Sequence, residues 1–243
     1  MKKNLLIISD GNGVENDFKK WPLLLQMLTT KSLNIINKSV VGASNEMMFM
    51  QLAEIVAQQP IDYAIIQWTR PRRVDVVTND FWDQQAAADP VYHFNLIKNN
   101  NQTWWVTSAS TNSYIKEYHT KYINQWQAVQ RTQTYIIAAA ELLKFHNIEF
   151  AFSLCYELDF IKPIDQLLRT YNWAWHIENQ GISEFRHTSK YLHLDYDRAQ
   201  VHPLIALEWI NRVVKPSCKF IDYSDEVYYN VEQSLVTLTA ASI

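Results

Sequence analysis

The chain has 243 residues, of which 48% are hydrophobic and 19% charged, so it can bury a large core and is not extensively disordered. Its 22 basic and 25 acidic residues give a net charge of −3. This balance excludes the strongly basic surface that holds a phosphate backbone, so we expect no nucleic-acid partner.

The amino terminus carries an apolar run that stops at Asp10 and is too short for a signal peptide. No segment approaches the roughly 18 apolar residues that cross a bilayer. We therefore expect a soluble protein, made in a cytoplasm, with no membrane partner. Cys155 and Cys218 fit neither a disulfide framework nor a metal-ligand spacing, and we expect two buried thiols.

The first 70 residues alternate between strand and helix patterns. Apolar runs predict strands at residues 4–9, 33–41 and 61–68, and apolar residues at helical spacing predict helices at 18–28 and 45–58. Short links between alternating strands and helices predict a parallel sheet that is covered by helices.

The second half of the chain departs from this regular order. Residues 70–112 mix turn-forming residues with tryptophans and predict an insert with a small structure of its own. Beyond it we predict helices at 114–146, 158–171 and 203–214, and strands at 148–154 and 191–194.

The last 27 residues differ from the rest, so we divide the chain into a domain at 1–216 and an extension at 217–243. Residues 231–238 partly alternate between apolar and polar side chains, which predicts an extra edge strand of the same domain. The alternative is an arm that docks onto another subunit, which would make the protein a homo-oligomer.

Three of the four glycines follow predicted strands: Gly11 and Gly13 after the first, and Gly42 after the second. Open parallel sheets bind ligands beyond the carboxyl ends of their strands, where glycine lets backbone N–H groups approach a ligand. The glycines therefore predict a crevice facing a ligand, although ordinary turns use the same residues. Neither a dinucleotide fingerprint nor a phosphate loop is present, and we expect no cofactor.

Three sequence blocks lie beside these glycines. They are Ser9-Asp10-Gly11-Asn12-Gly13 followed by Trp21-Pro22, then Val40-Val41-Gly42-Ala43-Ser44-Asn45, and finally His202-Pro203. In order and context they resemble the SGNH (GDSL) hydrolases, a family of esterases, lipases and carbohydrate deacetylases. The resemblance implies a three-layer α/β/α sandwich with a mainly parallel, flavodoxin-like sheet.

The sequence also departs from the family pattern at the catalytic positions. The position of the nucleophilic serine is occupied by Gly11, and the expected aspartate before His202 falls on Ala199. The family's oxyanion-hole asparagine is missing after the third strand. Since acyl transfer needs a nucleophile and a base within reach of it, we expect a degenerate active site.

The resemblance therefore implies a pseudoenzyme, a binding or structural module for a glycan or protein partner. The Trp-Pro pair and the third-strand exit are similar to those of proteins carried by bacteriophages, which suggests a virion component that binds other virion proteins. The alternative is an active carbohydrate esterase. In it His202 is the base, Asp10 orients it, Ser9 or a water molecule attacks, and the backbone of Gly11 and Gly42 holds the oxyanion.

Four further side chains at the strand exits are candidate ligand contacts: Asn12, Asn45, Gln67 and Thr69. Gln67 is placed to donate a hydrogen bond in place of the missing asparagine. Asn45 opens a helix, where capping explains it equally well. The spacing of the histidines in the last third of the chain matches no zinc pattern, and we expect no metal site.

Overall fold

A computed structural model describes residues 2–9, 21–29, 32–40, 43–69, 71, 76–78, 96–98, 104–106, 121, 124–154, 174–176, 185, 188–191 and 202–240. The strands are β1 (Lys3–Ser9), β2 (Leu33–Asn37), β3 (Tyr63–Trp68), β4 (Val76–Thr78), β5 (Leu96–Lys98), β6 (Trp104–Val106), β7 (Glu149–Leu154) and β8 (Ala174–His176). The α-helices are α1 (Trp21–Thr29), α2 (Asn45–Gln58), α3 (Gln125–Phe145), α4 (Pro203–Trp209), α5 (Lys215–Ser217) and α6 (Asp225–Ala240). A π-helical turn, Ile210–Val214, joins α4 to α5.

The main sheet is parallel, with neighbours in the order β2-β1-β3-β7-β8. Counted along the chain, this is the 2-1-3-4-5 order of flavodoxin-like proteins. The direction of winding reverses between β1 and β3, whose register pairs Leu5 with Tyr63 and Ser9 with Gln67. The sheet therefore has its topological switch point between these two strands.

Helices cover both faces of the sheet, because its central strands are continuous apolar runs that supply two cores. On one face of the sheet, α1, α4 and α6 form a helical layer that we call the first layer, and its core lies between these helices and the sheet. On the other face, α2 and α3 form the second layer, with a core of its own. Ile7 of β1, Ile65 of β3 and Ala151 of β7 face the first layer. The fold is a three-layer α/β/α sandwich, as predicted.

The first layer contains the larger side chains. Trp21 of α1 meets Trp209 of α4 edge to face, with the ring centroids 5.5 Å apart. Every residue of α4 is buried, so this helix is apolar almost all round rather than amphipathic. The second layer pairs Met48 and Leu52 of α2 with Ala140 of α3. Burial of these faces provides the main driving force for folding.

The predicted elements of the α/β core are confirmed, with some changes at their ends. Helix α2 has the predicted bounds, because Ser44 caps it by accepting a 3.1 Å hydrogen bond from the Met47 backbone N–H. Strand β2 is shorter than predicted, although the Lys38 and Val40 backbone N–H groups still donate to β1 carbonyls. Helix α3 starts late in its predicted range, and residues 114–120 lie outside the described part.

The predicted edge strand at 231–238 is wrong, because these residues belong to helix α6. Val231 and Leu235 lie one helical turn apart and are both buried, a spacing that the partial alternation concealed. Asp225 and Glu226 in the first turn favour a helix start. The helix packs against α4 and α1 of its own chain.

Two features of the remaining segments are visible. Strands β4, β6 and β5 of the predicted insert form an antiparallel sheet of three strands, distinct from the main sheet. Strand β8, which pairs with β7, was not predicted.

The predicted helix at 158–171 and residues 192–194 of a predicted strand lie outside the described residues. Within the described ranges, no helix has the length and apolarity needed to cross a membrane.

Candidate functional site

Three polar residues lie side by side where the central strands end. Ser9 of β1 pairs in register with Gln67 of β3, which pairs with Ser153 of β7. In-register neighbours of a parallel sheet point to the same face. The three residues lie two positions after Ile7, Ile65 and Ala151, which face the first layer, so they face the first layer too. All three are fully buried. We call Ser9, Gln67 and Ser153 the edge row.

Two members of the edge row have polar atoms without a hydrogen-bond partner. The amide nitrogen and oxygen of Gln67 and the hydroxyl oxygen of Ser153 are buried and unpaired. Buried polar groups in folded proteins are almost always paired, and an unpaired one costs about 1–3 kcal/mol. Gln67 was a predicted ligand contact, but Ser153 was missed. Its place at the end of the predicted fourth strand was the available signal.

Ser9, the predicted alternative nucleophile, is held by a neighbouring hydroxyl. Its Oγ donates a 2.9 Å hydrogen bond to the Oγ of Ser39, whose backbone N–H donates to the Oδ1 of Asn37. The Ser9 hydroxyl is thus engaged in a hydrogen bond with another hydroxyl at the end of the strand. In this arrangement Ser9 links the end of β1 to the segment after β2.

Asn45 uses its side-chain amide to join three elements. Its Oδ1 accepts a 2.8 Å bond from the Thr69 backbone N–H, and its Nδ2 donates at 3.0 Å to both the Thr69 carbonyl and the Oγ1 of Thr132. These bonds tie the start of α2 to the exit of β3 and to α3. Asn45 and Thr69 therefore have a structural role at this edge, and their contact with a ligand stays a prediction.

His202, the predicted base, caps helix α4. Its Nδ1 accepts a 3.3 Å hydrogen bond from the Leu204 backbone N–H. A neutral imidazole that accepts on Nδ1 carries its proton on Nε2. The ring is partly buried, and Pro203 follows at the first helical position, where proline is favoured. The backbone N–H of Leu204 thus favours the tautomer that carries its proton on Nε2.

A second buried polar region lies in the first layer and was not predicted. The two oxygens of Glu208 accept from the Ser189 hydroxyl at 2.6 Å, the Lys190 backbone N–H at 3.1 Å and Arg212 at 2.9 Å. The Oε1 of Glu232 accepts from Lys190 at 3.0 Å and from the hydroxyl of Tyr191 at 2.6 Å. The hydroxyl of Tyr228 also donates to this oxygen, at 3.4 Å. We call these residues the carboxylate network; its members are Ser189, Lys190, Tyr191, Glu208, Arg212, Tyr228 and Glu232.

Opposing effects determine the pKa of Glu232. Burial alone would raise the pKa, but hydrogen bonds from Tyr191 and Lys190 outweigh it and hold the pKa below the usual value. The pKa of Lys190 is raised, since bonds from its ammonium group to Tyr191 and Glu232 outweigh its own burial. The network therefore holds a charged pair at neutral pH.

Several predicted site residues lie outside the described part of the chain: Asp10, Gly11, Asn12 and Gly42. Where the structure does describe the chain, no group of three His, Cys, Asp or Glu side chains is placed to hold a metal. Cys218 is a buried free thiol, as predicted, and burial raises its pKa. Cys155 is not described.

The fold of this chain is similar to that of several solved structures. No protein-family model and no curated protein matches the sequence. Among solved structures, TesA matches with a TM-score of 0.50 and 11% identity, covering 88% of this chain and 99% of TesA. The psychrotrophic esterase EstA from Pseudoalteromonas sp. matches with a TM-score of 0.51 and 14% identity, covering 88% of this chain and 98% of EstA. The chain has an SGNH/GDSL hydrolase-like fold.

At these identities the likeness shows the fold alone, so the chemistry must be argued from the site. In a Ser-His-Asp site the histidine donates from Nδ1 to a carboxylate and accepts on Nε2 from the nucleophile. The capping bond of His202 requires the opposite tautomer. Within this SGNH-type fold, His202 therefore serves as a helix cap through its Nδ1.

Proposed function

We propose that the chain is a binding module with an SGNH-type fold whose site no longer performs covalent hydrolysis. The observation that carries this proposal is the bond from the Leu204 backbone N–H to the Nδ1 of His202. It leaves a proton on Nε2, the atom that must accept one if the histidine is to activate a nucleophile. To act as a base through Nε2, His202 would have to give up this capping bond and move its proton to Nδ1.

The residues available as nucleophile support the same proposal. Gly11 stands at the sequence position where the family has its serine, and glycine offers no nucleophilic atom. Ser9 is fully buried and its hydroxyl donates to Ser39. Loss of the nucleophile from a catalytic unit removes nearly all of its rate enhancement, because the remaining groups act only together with it.

The partner of such a module is a glycan or another protein. A virion protein of a bacteriophage is the specific form of this proposal, and it rests on the resemblance of Trp21-Pro22 and Gln67-Trp68-Thr69 to phage-borne sequences. Unpaired polar atoms at the edge row supply binding groups at the edge of the sheet where ligands of such folds bind.

The test measures hydrolysis of p-nitrophenyl acetate and of acetylated xylo-oligosaccharides by the unmodified chain and by His202→Ala. We expect equal rates, since removing a working catalytic histidine would lower the rate by about 10⁴-fold or more. His146→Ala, at an exposed position after α3, is the matched control. Activity that His202→Ala abolishes and His146→Ala preserves would establish the esterase alternative.

Gly11→Ser restores the family's nucleophile and extends the test. Hydrolysis by this variant, with none by the unmodified chain, would show that the rest of the site is intact and only the nucleophile is missing. Because the His202 tautomer is also unsuited to catalysis, we expect Gly11→Ser alone to stay inactive.

A further inference from the structure

We infer that Gln67 and Ser153 form the floor of a binding site for an uncharged amide group. This inference rests on the proposed function and names the chemistry that the site recognises. It starts from three atoms, the amide nitrogen and oxygen of Gln67 and the hydroxyl oxygen of Ser153, which are buried and have no hydrogen-bond partner.

Unpaired atoms at these positions weaken the fold. A methionine at position 67 and an alanine at 153 would have similar volumes and no unsatisfied groups, so this replacement would remove the cost of burying unpaired polar atoms. Sequences keep such local violations mainly at functional sites. We therefore assign Gln67 and Ser153 to binding rather than to stability.

The position of the two residues agrees with a binding role. Gln67, the next-to-last residue of β3, pairs with Ser9, the last residue of β1, and the winding of the sheet reverses between these strands. In open α/β sheets, ligands bind outside the carboxyl ends of the strands at this switch point. Ser153, at the same level of β7, extends the floor by one strand.

The atoms themselves select the ligand. A glutamine amide offers a donor and an acceptor side by side, which an amide of the ligand matches with two parallel hydrogen bonds, while the Ser153 hydroxyl adds a third. Ser9, Gln67, Thr69 and Ser153, together with Asn45, are all uncharged. A charged ligand group buried against them would lack compensation from these residues, so an uncharged group is favoured.

Both an acetamido sugar and an asparagine or glutamine side chain of a protein carry such an amide. The polar atoms are closed to solvent in the unliganded chain. Neighbouring residues must therefore move before a ligand reaches them, and we expect association to be slow for a small molecule.

Stability is the first readout, for Gln67→Met, Ser153→Ala and the double variant. We expect the double variant to raise Tm by about 2–6 °C, because two unsatisfied groups are removed. Gln58→Met is the matched control, since Gln58 lies at the end of α2 and bonds only at the surface. It should leave Tm nearly unchanged. A fall in Tm of the double variant would overturn the inference, because the polar atoms would then stabilise the fold.

Binding is the second readout, followed by NMR titration of the ¹⁵N-labelled chain. The amide probes are N-acetylglucosamine and N-acetylglutamine amide, with glucose and acetate as probes that lack an amide. We expect one amide probe to bind, and Gln67→Met to weaken it by about tenfold or more while Gln58→Met does not. The probe that binds identifies a glycan or a protein side chain as the source.

Two results of the titration would overturn the inference. One is that neither amide probe binds, and the other is that an amide probe binds Gln67→Met as tightly as the unmodified chain. The esterase assay reports separately on the proposed function. An inactive chain without amide binding rejects this inference alone, whereas activity dependent on His202 rejects the proposed function.

Discussion

Two buried polar regions of the first layer differ in how their hydrogen-bonding groups are satisfied. In the carboxylate network, both oxygens of Glu208 accept bonds from the protein, and Glu232 accepts from an ammonium group and a hydroxyl. In the edge row, neither amide atom of Gln67 has a partner. The network carries charge and its carboxylates are satisfied, while Gln67 and Ser153 of the edge row are neutral and are not.

This difference in hydrogen bonding distinguishes a structural role for the carboxylate network from the binding role that we propose for Gln67 and Ser153. Burying a carboxylate is expensive unless its oxygens are bonded, and the network meets this condition by joining α4, α6 and residues 189–191. A neutral amide left unpaired costs less, so the fold tolerates it. The satisfied region holds the helical layer together, and we propose that the unpaired atoms of Gln67 and Ser153 serve a ligand.

The largest effect is expected at Glu208. Glu208→Leu leaves the Ser189 hydroxyl and the Lys190 backbone N–H without their acceptor, and we expect the free energy of unfolding to fall by about 3–5 kcal/mol. Urea denaturation of the unmodified chain and of Glu208→Leu measures this free energy of unfolding. Glu226→Gln, at an exposed position of α6, is the control and should change stability by less than about 0.5 kcal/mol. A loss below about 1 kcal/mol at Glu208 would remove the contrast between the two regions.

The second largest loss of stability is expected for Asn45→Leu, and it contrasts with the result expected for Gln67→Met. Asn45→Leu removes three buried bonds, two to the Thr69 backbone and one to the Thr132 hydroxyl, which should cost about 2–3 kcal/mol. Gln67→Met removes a buried amide from the same edge of the sheet, yet should not destabilise. Denaturation curves of the two variants compare a satisfied amide with an unsatisfied one, and losses of equal size would refute the comparison.

Much of the fold was predictable from local sequence. Apolar runs predicted four of the five strands of the main sheet, and Ser44 marked the start of α2 through its capping hydroxyl. The tail was mispredicted because Val231 and Leu235 fit two periods over so short a window, and packing against α4 and α1 decides between them.

The candidate site was predictable only as a location. The ends of the predicted strands indicated Gln67 and Asn45 as candidates. Whether their side chains are hydrogen-bonded, however, depends on residues far along the chain. Asn45 is satisfied by Thr132, which is 87 residues away. Gln67 is unsatisfied because its in-register neighbour Ser153 does not bond to it. Such long-range pairing follows from the assembled sheet and leaves no local pattern in the sequence.

The smallest effect is expected from Glu232, and it depends on pH. Its pKa in the folded chain is lowered from the usual value of about 4.5, because bonds from Tyr191 and Lys190 favour the carboxylate over the opposing effect of burial. A lowered pKa contributes stability above the unfolded value, and this contribution is lost as pH falls through the folded value. Glu232→Gln should therefore cost about 1–2 kcal/mol at pH 7 and progressively less below pH 4.5. Urea midpoints between pH 3 and pH 7 measure the difference. A deficit independent of pH would mean that Glu232 stabilises α6 by packing alone, and the carboxylate network would then owe its stability to Glu208.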